Sequence, residues 1–198
     1  MASPILAITG ASGSAYGVRL LQVLIEQGTQ PIVLVSDAGR LVLKAELGTD
    51  RLGDLVGARG WRQEPVTNVA APIASGSVPT AGMVIAPCSM GTVAAVAHGL
   101  SQNLIHRAAD VTLKERRRLI VVPRETPLHA GHLQNLLALA NLGVTVIPAM
   151  PAFYHKPATI EELVDTVVAR VLDQMGIEHP MIRRWGQHQE EVPLDDRL

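Results

Sequence analysis

The stretch PRETPLHAGHLQNLL (123–137) sets Arg124, Glu125, His129 and His132 within nine positions, directly after the apolar run LIVV. An arginine offers a planar fork that suits phosphate, and a carboxylate beside it can move a proton or orient that fork. The same pair also describes a solvated arginine and a first-turn glutamate favoured by a helix dipole. His129 and His132 lie three apart, a spacing able to ligate a metal. With no third ligand evident, they are read as helix-face residues.

Small hydroxyl residues recur where apolar runs give way to helical ones. TGASGSAYG (9–17) has Gly10 and Gly13 for a tight turn, with Ser12 or Ser14 to cap the helix that follows. Free N–H groups at such a helix start suit a phosphate or the polar edge of a flavin, although small residues there also serve packing alone. Ser36-Asp37 and APCSMGT (86–92) repeat the theme. Three such ends side by side would either surround one anionic ligand or simply cap three helices. Cys88, the one cysteine, is read as a small apolar residue closing a buried strand rather than as a nucleophile.

Aromatic residues are scarce: two Trp, two Tyr and one Phe. Phe153 and Tyr154 nevertheless fall together in PAMPAFYHKP (148–157). Tyr154 can donate to an anion, and both rings can line a pocket or plug the space under the last helix. Arg170, within LVDTVVARVL, is either a buried anion ligand or a cation that snorkels to solvent. KERRR (114–118) reads mostly as a solvated helix end, with Lys114 able to turn inward.

The elements that must position these groups follow from periodicity. Apolar runs at 4–9, 30–36, 81–87, 118–123 and 143–148 read as strands buried on both faces, and the segments between them have helical spacing. A final helix over 159–176 has Thr159 as its N-cap, Glu162 three residues on and Gly176 as its stop. This alternation predicts a doubly wound α/β fold, a mostly parallel open sheet of the Rossmann or flavodoxin kind with helices on both faces. Such sheets bind ligands beyond the carboxyl ends of their strands, where the polar motifs fall. The region 49–80 is less regular and is expected to carry a short hairpin or loop.

The chain of 198 residues suits one domain, here 1–198, with a polar tail from about 177. Mean hydropathy is high at +0.23, yet no run of about 18 apolar residues could span a bilayer. A net charge of -1 without a basic excess speaks against nucleic acid as a partner. The N-terminus lacks the basic and cleavage segments of a secretory signal, so a cytoplasmic location is expected. From Pro65 to His106 there is no Asp, Glu, Lys or Arg. So long an uncharged segment is expected to lie partly at a subunit contact, which predicts a homo-oligomer.

Taken together, ITGASGSAYGVRLL, the long run from APCSMGT through RAADVTLKERR and VPRET to AFYHKP, and VVARVLDQMGI resemble the UbiX/Pad1 family of flavin prenyltransferases. The resemblance runs from about residue 4 to Trp185. It implies an enzyme that joins a dimethylallyl group from dimethylallyl phosphate to N5 and C6 of reduced FMN, making the cofactor of UbiD-type decarboxylases. It further implies metal-independent chemistry and a dodecamer with the flavin near subunit contacts.

By the same resemblance, Gly10, Ala11, Ser12, Ser36, Ser89, Met90, Gly91 and Thr92 contact flavin, and Arg124 completes that site from a neighbouring subunit. Tyr154 and Arg170 hold the donor phosphate, with Lys114 as a further cation. Glu46 and Glu125 are active-site acids, Ser12 belongs to the catalytic turn, and Trp185 closes over the pocket. Where many members read REAP this chain reads RETP, and 49–64 does not align clearly. Two other readings stay open at this point: a flavin-dependent cysteine decarboxylase of related fold, and an FMN carrier without chemistry.

Overall fold

The computed structural model describes residues 2–182 and Arg184. Among these, six strands form one all-parallel sheet: β1 (Ile5–Ile8), β2 (Ile32–Val35), β3 (Arg62–Gln63), β4 (Met83–Cys88), β5 (Leu119–Pro123) and β6 (Thr145–Val146). Their spatial order is β3-β2-β1-β4-β5-β6. Seven helices connect and cover them: α1 (Ser14–Glu26), α2 (Asp37–Leu47), α3 (Leu52–Val56), α4 (Met90–Ala97), α5 (Leu104–Lys114), α6 (Ala130–Asn141) and α7 (Ile160–Met175).

Strands β1, β2, β4 and β5 are apolar throughout because each face of the sheet carries helices. Leu6, Ile8, Val33, Val35, Val84, Ile120 and Val122 pack into one core with Leu20, Leu21 and Leu24 of α1 and Val167, Val168 and Val171 of α7. The alternate residues, Ile5, Ala7, Ile32, Leu34, Met83, Ile85, Leu119 and Val121, pack into a second core with Val93 of α4, Ala108 of α5 and Leu139 of α6. Successive side chains of a strand point to opposite faces, so one apolar run serves both cores.

Strand order decides where a ligand can sit. From β1 the chain moves outward to β2 and β3, then returns to place β4 on the other flank of β1. The connections therefore diverge above the carboxyl ends of β1 and β4 and leave a crevice between them. That crevice is bordered by residues 9–14 on one side and 88–92 on the other.

Of the short hairpin or loop expected within 49–80, the loop is found and no hairpin forms. That region holds the short helix α3, a single 3-10 turn at Pro72–Ala74, and β3, which pairs in parallel with β2 through Ile32↔Arg62 and Val33↔Gln63. An edge strand of two exposed residues carries no apolar period by which to be read. The last helix matches its expected ends: Thr159 Oγ1 accepts from Glu162 N at 3.2 Å, and Gly176 closes the helix at φ 73°. No helix among the described residues is long and apolar enough to cross a membrane.

Candidate active site

The two lips of the crevice are joined by Thr9, whose only signal in the sequence is its place at a strand end. Buried Thr9 donates from its hydroxyl to the Pro87 carbonyl at 2.9 Å and accepts from the Ser89 amide at 2.8 Å. Gly10 follows, its backbone pressed against the start of α2: a Cβ there would stand 2.4 Å from the Ala38 Cβ. Gly10, Ala11 and Ser12 thus form a turn held from both sides.

Neither Ser12 nor Ser14 caps α1, contrary to expectation. The N-cap is Gly13, which adopts φ 101° and has no side chain to cap with. The cap comes instead from Glu46, near the end of α2. Its carboxylate accepts from Gly13 N at 3.0 Å and from Ser14 N at 2.8 Å. Burial opposes charge on this group, but hydrogen bonds from the Ser12 hydroxyl and the two amides outweigh it and hold the carboxyl below its ordinary range. An ionised carboxylate, a serine hydroxyl and a helix N-terminus therefore meet at the mouth of the crevice.

At the other two strand ends the hydroxyls do cap their helices. Ser36 Oγ accepts from Gly39 N at 3.0 Å at the start of α2. Ser89 Oγ accepts from Thr92 N at 3.4 Å and shares a hydrogen bond with Thr92 Oγ1 at 3.0 Å. Met90 is buried, whereas a Cβ at Gly91 would meet nothing within 4 Å. Gly91 thus faces open space at a helix N-terminus, whose first N–H groups lack intrahelical acceptors. Cys88 is fully buried, and burial pushes its thiol far above the ordinary range, as a packing residue requires.

Arg124 and Glu125 leave β5 as exposed residues. The Arg124 amide donates to the Cys88 carbonyl at 3.3 Å, and its charge reaches Tyr16 in α1, whose phenol burial raises against that pull. Glu125 Oε1 accepts from the adjacent Thr126 amide at 3.0 Å. His129 is the N-cap of α6, its Nδ1 accepting from His132 N at 3.3 Å, and the two rings stack. Among the described residues no three His, Cys, Asp or Glu side chains converge as a metal site.

Tyr154 and Arg170 do come together, in a cavity of ≈ 380 Å³ at the side of α7 whose wall includes Ala152, Thr166 and Ile182. None of the residues of the β1 and β4 turns lines it. Arg170 is not a buried ligand: its side chain is 57% exposed and pairs with Asp173 at 2.7 Å. Nor do the rings plug the space under α7, for Phe153 is 69% exposed. Trp185 lies outside the described residues.

Lys114 stands elsewhere. It ends α5, just before β5 begins, with its Nζ bonded to Glu115 and lying over Gly76. All strands run in one direction, so the start of β5 and the carboxyl ends of β1 and β4 are opposite edges of the sheet. Lys114 ends α5 on one face of the sheet, Arg170 lies on α7 on the other, and Lys114 is not among the residues that line the Tyr154–Arg170 cavity.

Comparison with known proteins agrees with this geometry. The family model described as Flavoprotein matches residues 3–172. The flavin prenyltransferase UbiX of Alkalihalophilus pseudofirmus is 50% identical over 190 residues, which span 91% of this chain and 94% of that one. The crystal structure of AnUbiX in complex with FMN and dimethylallyl pyrophosphate superposes with a TM-score of 0.87 at 36% identity, covering 95% of this chain and 99% of that one. A dodecameric FMN-dependent UbiX-like decarboxylase from Escherichia coli O157:H7 superposes at 0.86 with 43% identity, covering 93% and 100%. A strand-end crevice of this make, in a chain this similar throughout its length, belongs to the UbiX family of flavin prenyltransferases.

Proposed function

We propose that this chain transfers a dimethylallyl group from dimethylallyl phosphate to N5 and C6 of reduced FMN and hands the prenylated flavin to a UbiD-type decarboxylase. The observation that carries the reading is the meeting of Ser12, the Gly13 and Ser14 amides and the Glu46 carboxylate at the β1–β4 crevice. The residues around that crevice fit FMN. Gly91 leaves open space for a planar ring beside the Gly10-Ala11-Ser12 turn, and the Ser36 turn and the first turn of α4 at Ser89–Thr92 suit its polar edges and phosphate. Reduced FMN supplies the nucleophilic positions that accept the prenyl group.

The chain supplies charge, orientation and proton transfer. Tyr154 and Arg170 hold the donor phosphate, and fixed cations stabilise the negative charge that it gathers on leaving. Trp185 offers π surface to the allylic carbons. Loss of a ring proton falls to Glu125, to Glu46, which is linked to the crevice through the Ser12 hydroxyl, or to the retained phosphate.

The site is completed by other copies of the chain. Lys114 serves the donor phosphate, and Arg124 the flavin, from neighbouring subunits, because α5 and α7 cover opposite faces of the sheet and Lys114 does not line the cavity of its own chain. Exposed Leu133 and Leu137 on α6, with Leu142, Met150 and Phe153 beyond it, give such an assembly apolar surface to bury. A cytoplasmic homododecamer, each protomer one flavin-binding domain, is the form we propose.

The test is anaerobic incubation with reduced FMN and dimethylallyl phosphate, alongside the diphosphate donor. A flavin heavier by the prenyl group is expected, and bound FMN of unchanged mass with both donors would sink the reading. Turnover of a cysteinyl substrate without any allyl donor would favour a decarboxylase instead.

A further inference from the structure

The cavity beside α7 contains a second arginine that no motif brings to notice. Gly176, in the left-handed region, reverses the chain, and residues 177–182 and Arg184 fold back along the helix that precedes them. Ile177 and Met181 pack on the core shared by α1 and α7. His179, with a side chain only 1% exposed, sets its Nε2 at 3.2 Å from Asp173 Oδ1, while its Nδ1 accepts from Met181 N at 3.3 Å. The ring proton therefore sits on Nε2, pointing at Asp173.

Asp173 is the hub of this fold-back. Its side chain is 14% exposed. Oδ2 accepts from Arg170 Nη1 at 2.7 Å, and Oδ1 accepts from Arg184 Nη2 at 2.8 Å. One carboxylate thus holds two guanidinium groups, and both line the same ≈ 380 Å³ cavity as Tyr154. Two positive charges against one negative leave a net positive wall. Each guanidinium has five N–H donors, and among the described residues each gives one hydrogen bond to Asp173, so both keep a fork for an incoming anion.

We propose that Arg184 is a second ligand of the donor's phosphate dianion, and that Asp173 is the positioning residue that sets Arg170 and Arg184 as a pair around it. The inference rests on reading this cavity as the donor site. Arg184 thereby makes the start of the tail part of the binding wall. Asp173 lowers the repulsion between the two arginines before the phosphate arrives, and His179 fixes the carboxylate from the buried side.

The test uses the full chain loaded with FMN, with Arg184→Gln, Arg184→Lys and Asp173→Asn compared with wild type. Inorganic phosphate is titrated calorimetrically, and KM for dimethylallyl phosphate, kcat and FMN affinity are measured in parallel. For Arg184→Gln we expect phosphate affinity to fall and donor KM to rise, each by about tenfold, as for loss of one charged hydrogen-bonding partner, with FMN affinity unchanged. Arg184→Lys should recover part of both losses, because it restores charge without the fork. Asp173→Asn should weaken phosphate binding and also speed amide exchange across 177–182.

Phosphate affinity in Arg184→Gln equal to wild type overturns the inference, as does a wild type that binds no phosphate. Failure of the prenyl-transfer reading looks different: the wild type then makes no heavier flavin, while the calorimetric comparison still reports on the arginine pair.

Discussion

The Glu46 carboxylate lies 2.8 Å from the Ser14 amide, across 32 residues of sequence, and so closes the N-terminus of a helix to which it does not belong. Removing its charge while keeping its shape isolates what it does. Glu46→Gln should bind FMN as wild type does but lose prenyl transfer by about 100-fold or more, the scale of a lost general acid or base. Single-turnover measurement under anaerobic conditions checks this, and an unchanged rate would confine Glu46 to capping.

The same carboxyl sets an acid limit. Its value in the folded chain lies below its ordinary 4.5, so its contribution to stability is complete above about pH 4.5 and is lost as pH falls through the depressed value. Asp173, which hydrogen bonds and charge from Arg184 hold below its ordinary 3.8, follows the same sign at lower pH. The difference in Tm between wild type and Glu46→Gln should be constant from pH 7 to 5 and shrink towards pH 3.

Two glycines should respond oppositely to alanine. A Cβ at Gly17 would stand 2.3 Å from the Ala86 carbonyl oxygen and 2.9 Å from Ile8, so Gly17→Ala should cost about 1–3 kcal/mol by forcing α1 off the sheet. A Cβ at Gly53, inside α3, meets nothing within 4 Å, so Gly53→Ala should stabilise by about 0.5–1 kcal/mol. Urea denaturation of both variants reads the contrast.

Leu133 and Leu137 lie one helical turn apart on the exposed side of α6. Replacing both by Glu should reduce the mass seen in light scattering to that of smaller assemblies and weaken FMN retention together with it. An intact large assembly would place the subunit contacts elsewhere.

Cys88 should prove inert. Buried and poorly ionised, it should resist iodoacetamide at pH 8 in the native protein and react only on unfolding. Cys88→Ala should leave prenyl transfer intact and cost about 1 kcal/mol of stability for the lost packing.

The sheet was legible because its strands are apolar on both faces and its helices carry a 3.6-residue period. β3 was not, since Arg62 and Gln63 are exposed and bring no pattern. Ser36 and Ser89 read correctly as strand-end hydroxyls at helix starts, yet local sequence could not tell that Ser12 would yield the capping role to Glu46. That answer depends on how α2 settles against α1. The pairing of Asp173 with Arg184 was hidden for a similar reason: it requires the chain to reverse at Gly176, and the tail's polar composition gave no hint of docking. Only the resemblance links Lys114 to Tyr154 and Arg170, since it sits on α5, on the other face of the sheet from α7.

The borrowed cap at Glu46 also bears on how the protein assembles. A helix capped by its own N-terminal residues can close its first turn locally, whereas α1 must wait for β2 to pair with β1 and for α2 to dock before Gly13 and Ser14 find their acceptor. The turn at Gly13 is therefore a late and non-local product of folding, formed together with the whole β1-α1-β2-α2 unit rather than ahead of it.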